Sequence, residues 1–180
     1  MKRPNLDLNE VAAYIDAAGV SIIEVVYVLA IRGYYKNGMG KPGVNDRGIY
    51  DDAMVLVGPN YLQSFNANTD PSKQMPGLAT LITGLHYFRK GKHGLSKGPG
   101  KAYDAFRPDT VDESLPVTRD GKKGIFKGVA INLHRGGEVY TNSAGCQTIH
   151  PSQWLEFQTA AYKMMTNESQ HRLPYLLIEN

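Results

Sequence analysis

Cysteine is nearly absent from this chain: Cys146 is the only one among 180 residues. A single thiol excludes an internal disulfide and a zinc cluster built from cysteines. Neither sign of charge dominates, because 20 lysine and arginine residues stand against 17 aspartate and glutamate residues. The lysines are scattered through predicted loops and fit no nucleic-acid-binding motif, so we expect no nucleic-acid partner. No metal or other cofactor is expected either.

Long apolar runs are also lacking. The most hydrophobic stretch, residues 20–31, is interrupted by Glu24 and is too short to cross a bilayer. The first residues are basic but are not followed by the apolar run of a signal peptide. The sequence therefore predicts a protein that is made in the cytoplasm without a signal peptide and does not bind membranes.

Turn-forming residues are abundant, with 19 glycines and 10 prolines. Asp7 or Asn9 is suited to cap a helix that runs to about Ala18, and Pro151 to begin a second helix that runs to about Met165. Between them, β-branched and alternating segments predict strands, the first with one longer helix as its competing interpretation. The predicted strands cover residues 22–31, 50–57, 61–66, 78–88, 116–119, 126–134 and 173–178.

Together these segments predict a mostly β chain with two flanking helices, in the α+β class. No linker or repeat divides the chain, so we expect a single domain over residues 1–180. Residues 37–48 and 89–101 are predicted as loops because glycine and other turn formers are dense in both.

Cys146 is the first candidate catalytic residue, because it follows Gly145 and lies twelve residues after His134. A thiol becomes a strong nucleophile when a nearby imidazole accepts its proton. Gly145 allows a sharp turn that presents the thiol, and backbone N–H groups around that turn can hold an oxyanion. The alternative is a small buried cysteine with no chemistry.

Several neighbours of this pair are candidates for supporting roles. Asn132 lies two residues before His134, where it could orient the imidazole as the third member of a triad. The hydroxyl of Ser143 can bind a substrate carbonyl or brace the cysteine turn. Gln147 can present its amide to a substrate or remain solvated.

Charged residues elsewhere are candidates for substrate binding. Arg119 and Arg135 can bind a substrate carboxylate through paired hydrogen bonds. His86 and His93 can line the cleft opposite Cys146. For each of these residues, an ordinary structural or solvated role is the alternative.

Residues 131–136, Ile-Asn-Leu-His-Arg-Gly, and 143–149, Ser-Ala-Gly-Cys-Gln-Thr-Ile, resemble the active-site segment of the L,D-transpeptidase catalytic domain family. In that family a histidine–glycine element is followed by a Ser/Thr-x-Gly-Cys element. The likeness is greatest to diverged, phage-type members that lyse cell walls. Ala144 stands where the family has a histidine, Gln147-Thr148 replaces its arginine, and the interval from His134 to Cys146 is shorter.

The resemblance implies a β-sandwich or barrel-type catalytic domain that acts on peptidoglycan stem peptides. Cys146 would attack the carbonyl of a bond that joins an L-centre to a D-residue, and His134 would protonate the leaving amine. Water would then release the acyl group, as in an endolysin-like L,D-peptidase, whereas an amine acceptor would make a transpeptidase. We expect hydrolysis by a monomer that reaches the wall after release from the cell.

Two functions of other classes remain open. One is a zinc-dependent peptidoglycan hydrolase that uses His86, His93 or His134, although the paired histidine spacing of such enzymes is missing. The other is a non-catalytic protein of the cell wall or virion, with Cys146 buried in its core.

Overall fold

Strands dominate the computed structural model, which describes residues 2–34 and 45–180. The α-helices of this part are α1 (Leu8–Ala18) and α2 (Pro151–Asn167), and a short 3-10 helix covers Leu95–Lys97. Its strands are β1 (Tyr27–Arg32), β2 (Asp52–Gly58), β3 (Tyr61–Asn68), β4 (Ala79–Leu81), β5 (Gly84–His93), β6 (Tyr103–Pro108), β7 (Ser114–Arg119), β8 (Lys122–Val129), β9 (Leu133–Arg135), β10 (Gln147–Ile149) and β11 (Arg172–Glu179). The mostly β, α+β class is therefore confirmed.

Eight strands close into a barrel in the order β1-β11-β5-β6-β9-β10-β3-β2. The pairs β1–β11 and β9–β10 are parallel, and the other pairs of the barrel are antiparallel. The strands β4, β7 and β8 form a separate three-stranded sheet. The parallel pair β9–β10 positions the two candidate catalytic residues, because His134 lies in β9 and Cys146 directly precedes β10.

Local signals explain the two helices. Asp7 accepts a hydrogen bond from the Glu10 backbone N–H while Glu10 bonds back to Asp7, which is a capping box, and Gly19 ends α1 in the left-handed region. The helix α2 begins at Pro151, and the His150 side chain caps it by accepting from Ser152 N–H. Both helices agree with the sequence prediction to within about two residues.

Two apolar clusters share strand β1. Val28 and Ala30 belong to the cluster that also contains Phe157 of α2, whereas Leu29 and Ile31 belong to the cluster that covers α1. Alternate residues of a strand point to opposite faces, so β1 is buried on both sides. That burial explains its continuous apolar run, and the competing prediction of one longer helix is wrong.

The strand prediction was wrong at four places near the candidate site. The segment 78–88 divides into β4 and β5, and β5 continues to His93 through part of the predicted loop 89–101. The segment 126–134 divides at Ala130, whose φ of 54° is incompatible with a strand. Strands β6 and β10 were not predicted. The predicted loop 37–48 lies outside the described residues except for residues 45–48.

Candidate active site

The ends of four neighbouring barrel strands meet at the candidate site. His93 ends β5, Tyr103 begins β6, His134 lies in β9 and Cys146 directly precedes β10. Strand pairing therefore brings together residues from four separate parts of the sequence.

Cys146 and His134 occupy neighbouring parallel strands, offset by two residues. Gln147 pairs with Leu133, which places Cys146 beside Asn132. With strands about 4.8 Å apart and a rise of about 3.3 Å per residue, the two Cα atoms are separated by roughly 8 Å. This separation allows the thiol and the imidazole to approach each other across the two strands.

The turn before Cys146 is held by Ser143. The Ser143 hydroxyl donates to the Cys146 carbonyl at 2.7 Å and accepts from the Gly145 N–H at 2.9 Å. Gly145 has a φ of +135°, and a Cβ added there would lie 2.5 Å from the Ala79 carbonyl oxygen. The backbone N–H groups of Ala144 and Cys146 donate to none of the described residues. Two donors of the cysteine turn are therefore available to an oxyanion.

The thiol is protonated in this structure. Cys146 donates through sulfur to the Ala130 carbonyl at 3.6 Å, and no hydrogen bond joins the sulfur to His134 in the described part of the chain. Burial raises the pKa of Cys146, and the Asn132 backbone, Lys97 and Arg107 oppose that rise less strongly. Thiolate must therefore form during attack rather than beforehand.

The orientation of His134 is set by a backbone carbonyl. Its Nδ1 lies 2.7 Å from the Arg135 oxygen and 3.2 Å from the Tyr103 hydroxyl. A carbonyl can only accept, so Nδ1 carries the proton and Nε2 keeps its lone pair. The arrangement gives His134 the tautomer that a general base requires, with the Arg135 carbonyl as the orienting group.

A second imidazole lies flat against the first. The rings of His93 and His134 stack with centroids 3.8 Å apart and planes inclined by 18°. The Asn132 side-chain N–H donates to His93 Nδ1 at 3.1 Å. Asn132 was predicted to orient His134, and the structure corrects this: its amide bonds to His93 and acts on His134 only through that stack.

Burial keeps both imidazoles neutral. It lowers the pKa of His134 to about 3, with His93 as the next cause. It also lowers the pKa of His93, to which the positive charges of Lys97 and Arg107 contribute. Neutral rings can stack closely without the repulsion that two imidazolium ions would have.

Three predicted substrate-binding residues have structural roles instead. Gln147 is fully buried, and its amide bonds to the Tyr175 hydroxyl, the Gly145 carbonyl and the Thr69 carbonyl. His86 is buried in β5, with Nε2 2.8 Å from the Ile82 carbonyl oxygen. Arg119 donates to the carbonyls of Gly77 and Lys127 and so braces the three-stranded sheet.

The other predicted residues remain near the turn. Ser143 braces it, which is one of the two roles expected from the sequence. Arg135 is exposed, with its guanidinium carbon 5.2 Å from the centre of the Tyr103 ring. Among the described residues Arg135 makes no ion pair, so its charge is available to a substrate.

Two depressions lie near the candidate site, and one of them borders the cysteine turn at Ser143 and Ala144. The large groove, of about 840 Å³, is lined by Ser72, Lys73, Lys97, Tyr140, Asn142, Ser143 and Ala144. The small pocket, of about 260 Å³, is lined by residues that include His93, Lys97, Arg107, Ala130 and Asn132. The groove has the size of a ligand site, whereas the pocket can take only part of a substrate.

Sequence reasoning missed Tyr103 and Lys97 and placed His93 in a loop. The aromatic residues Tyr103 and Phe106, a residue type that is enriched in strands, were the available signal for β6. No local sequence pattern predicts that Lys97 lies near Cys146, because the fold, not the sequence interval, brings the two residues together.

Within residues 2–34 and 45–180, no three His, Cys, Asp or Glu side chains are grouped so that they could hold a metal ion. The described helices include none with the length and apolar character needed to cross a membrane. In comparisons with known proteins, no family model, curated protein or solved structure matches this chain.

Proposed function

We propose that this protein is a cysteine-dependent acyl-transfer enzyme that hydrolyses peptidoglycan stem peptides. The observation that carries the proposal is the tautomer of His134: the Arg135 carbonyl holds Nδ1–H and leaves Nε2 free, one strand from Cys146. The choice of substrate rests on the resemblance of residues 128–149 to the L,D-transpeptidase catalytic domain family. The finer assignment, an endolysin-like L,D-peptidase with that family's fold, belongs to the same proposal.

The acylation step begins with proton transfer. His134 Nε2 takes the proton of Cys146 as the sulfur attacks the scissile carbonyl carbon, and the N–H groups of Ala144 and Cys146 hold the oxyanion. The carbon–nitrogen bond then breaks, and the imidazolium returns its proton to the leaving amine. The product is a thioester on Cys146 and a free amine.

Deacylation reverses the proton path. His134 accepts a proton from water as the water oxygen attacks the thioester carbonyl, and the sulfur leaves and is reprotonated. An amine acceptor in place of water would give transpeptidation. We place water in this role because Ala144 and Gln147-Thr148 depart from the motif of the cross-linking family.

The test is mass spectrometry of purified peptidoglycan after incubation with the protein. We expect new stem-peptide fragments whose masses include one added water, and loss of these fragments in Cys146→Ala. The variant His134→Gln should lower the rate by at least about a hundredfold, the scale of a lost general base. His86→Gln is the matched control and should retain activity, because among residues 2–34 and 45–180 the His86 ring bonds only to the Ile82 carbonyl.

Full activity of Cys146→Ala would overturn the proposal. Activity that survives Cys146→Ala but stops with a chelator would support the zinc-dependent hydrolase instead. Products that join two stem peptides without added water would identify a transpeptidase.

The non-catalytic wall or virion protein is the second candidate, and the raised pKa of Cys146 favours it. A half-buried thiol that donates to a carbonyl and has a raised pKa labels slowly whether or not it is catalytic. Thiol labelling therefore does not separate the two functions, whereas product analysis does. Binding to the wall with no fragment released would identify the non-catalytic function.

A further inference from the structure

The small pocket contains a buried acceptor without a donor in the described part of the chain. Asn132 is only 4% exposed, and its side-chain N–H is used by His93. Its Oδ1 atom has no hydrogen-bond partner among the described residues. A buried polar atom without a partner is costly, so a position of this kind is suited to receive a donor from a ligand.

The same pocket has a cation whose charge no described residue neutralises. Arg107 donates from Nε to a Glu113 carboxylate oxygen at 2.8 Å and forms an ion pair with that residue. Lys97 forms no ion pair with any described residue, and it borders both the small pocket and the large groove. The described residues that line the pocket include no carboxylate. Lys97 is therefore available to an anionic ligand group.

The pocket is connected to the reacting sulfur through Ala130. Ala130, whose carbonyl accepts from the thiol, lines its wall together with Asn132. The N–H groups of Ala144 and Cys146, which donate to none of the described residues, suit a carbonyl oxygen. An acceptor such as Asn132 Oδ1 suits the N–H of the same amide. The acyl part then lies over the large groove, which Ser143 and Ala144 line, and the leaving part enters the small pocket.

We propose that the small pocket is a subsite for the leaving residue of the substrate, whose amide N–H bonds to Asn132 Oδ1 and whose carboxylate lies against Lys97. This inference rests on the proposed function and adds the chemistry that the subsite selects. The carboxylate has two possible sources, the α-carboxylate of a C-terminal residue or an acidic side chain.

Carboxylate binding would also affect the base. The positive charge of Lys97 contributes to lowering the pKa of His134 and of His93. A carboxylate beside Lys97 offsets that charge, so His134 becomes a better proton acceptor when the correct substrate is bound. Binding of the correct leaving residue in this subsite would thus increase the reactivity of Cys146 and His134.

The test compares synthetic stem peptides in which the leaving residue carries free carboxylates, an α-carboxamide, or a side-chain carboxamide. We expect kcat/KM to fall roughly tenfold or more for one of the two amidated peptides, the scale of a lost charged hydrogen bond. The peptide that fails identifies the source of the carboxylate. In Lys97→Met this preference should disappear, whereas Lys73→Met, which changes a lysine of the large groove alone, should retain it.

A second arm tests Asn132. Replacing the scissile amide by an ester removes the N–H that donates to Asn132 Oδ1. The ratio of the ester rate to the amide rate should therefore differ between Asn132→Ala and the wild type. Thermal unfolding checks that Asn132→Ala folds. The test of Lys97 does not depend on this variant.

Equal kcat/KM for all three peptides in the wild type, or an unchanged preference in Lys97→Met, would overturn the subsite. Retention of activity in Cys146→Ala would instead overturn the proposed function, so the two failures are distinguishable.

Discussion

Gly145 is the residue at which the backbone of the cysteine turn tolerates least change. Its φ of +135° lies in a region that side chains rarely adopt, and a Cβ would meet the Ala79 carbonyl oxygen at 2.5 Å. Gly84 has nearly the same φ, +134°, but a Cβ there meets nothing within 4 Å. The two glycines separate the effect of backbone strain from the effect of steric contact.

We expect Gly145→Ala to lower the free energy of unfolding by about 2–5 kcal/mol, because overpacking against a carbonyl adds to strain. It should also lower kcat/KM by about a hundredfold, since a shift of about 1 Å in a nucleophile has that effect. Gly84→Ala, the matched control, should cost about 1–3 kcal/mol and leave kcat/KM unchanged. Equal activities of the two variants, measured beside their denaturant unfolding, would contradict this account of the turn.

At the scale of secondary-structure elements, the segment that follows β3 is hydrogen-bonded to the cysteine turn and stabilises it. Ser72 N–H donates to the Ser143 carbonyl at 2.8 Å, and the Ser72 hydroxyl accepts from the Ser143 N–H at 2.7 Å. The same hydroxyl lies 2.7 Å from that of Thr141. The end of the β2–β3 hairpin is therefore tied to the loop that precedes β10.

Ser72→Ala removes the acceptor of the Ser143 N–H and should lower the free energy of unfolding by about 1–2 kcal/mol. Amide hydrogen exchange at Ser143 and Gly145 should become faster, because the turn opens more easily. Ser21→Ala, at an exposed serine, is the control and should change neither quantity. Unchanged exchange in Ser72→Ala would mean that the backbone bond alone holds the turn.

For the whole molecule, a buried ionic network supports the same turn. Arg32 lies 3.4 Å from an Asp70 carboxylate oxygen and donates to the hydroxyl and carbonyl of Thr69. Asp52 accepts from the backbone N–H groups of Gly33 and Thr69 and from the Thr69 hydroxyl. The Thr69 carbonyl also accepts from Gln147, which connects the network to the residue after Cys146.

Burial, with the nearby charges of Asp51 and Asp70, raises the pKa of Asp52 from 3.8 to about 8. The folded protein then holds a proton that the unfolded chain releases, so the contribution of Asp52 to stability is complete at low pH. It is lost as the pH rises towards 8. His134 acts in the opposite direction: its pKa falls from 6.5 to about 3, so its contribution is lost as the pH falls from 6.5.

Between pH 6.5 and 8, the comparison with Asp52→Asn isolates Asp52, because the histidines whose pKa burial lowers contribute equally in both proteins. Relative to this variant, the wild type should lose up to about 2 kcal/mol of unfolding free energy across the range, at about 1.4 kcal/mol per pH unit. Asp52→Asn cannot ionise, so it should keep only the histidine contribution across the same range, whatever its stability at pH 6.5. Parallel pH dependences of the two proteins in denaturant unfolding would exclude Asp52 as the titrating group.

Much of the secondary structure was predictable from the sequence because its signals are local. The capping box at Asp7, the turn between β2 and β3, Pro151 at the start of α2 and the apolar run of β11 each act within a few residues. The pairing of Cys146 with His134 was likewise proposed from a short interval and a glycine. These features depend on backbone preferences and on side-chain alternation, which a single stretch of chain contains.

Tertiary structure alone decided which groups surround that pair. His93 lies against His134 because β5, β6 and β9 are neighbours in the barrel. Asn132 bonds to His93 although the two residues are 39 positions apart in the sequence. The positive φ of Ala130 divides a segment that looks continuous. Packing gives buried Gln147 and His86 internal partners, and half-buried Arg119 bonds to two backbone carbonyls. Such contacts depend on the closure of the barrel, because the free energy that favours them comes from long-range strand pairing and packing. A local sequence pattern does not encode these long-range contacts.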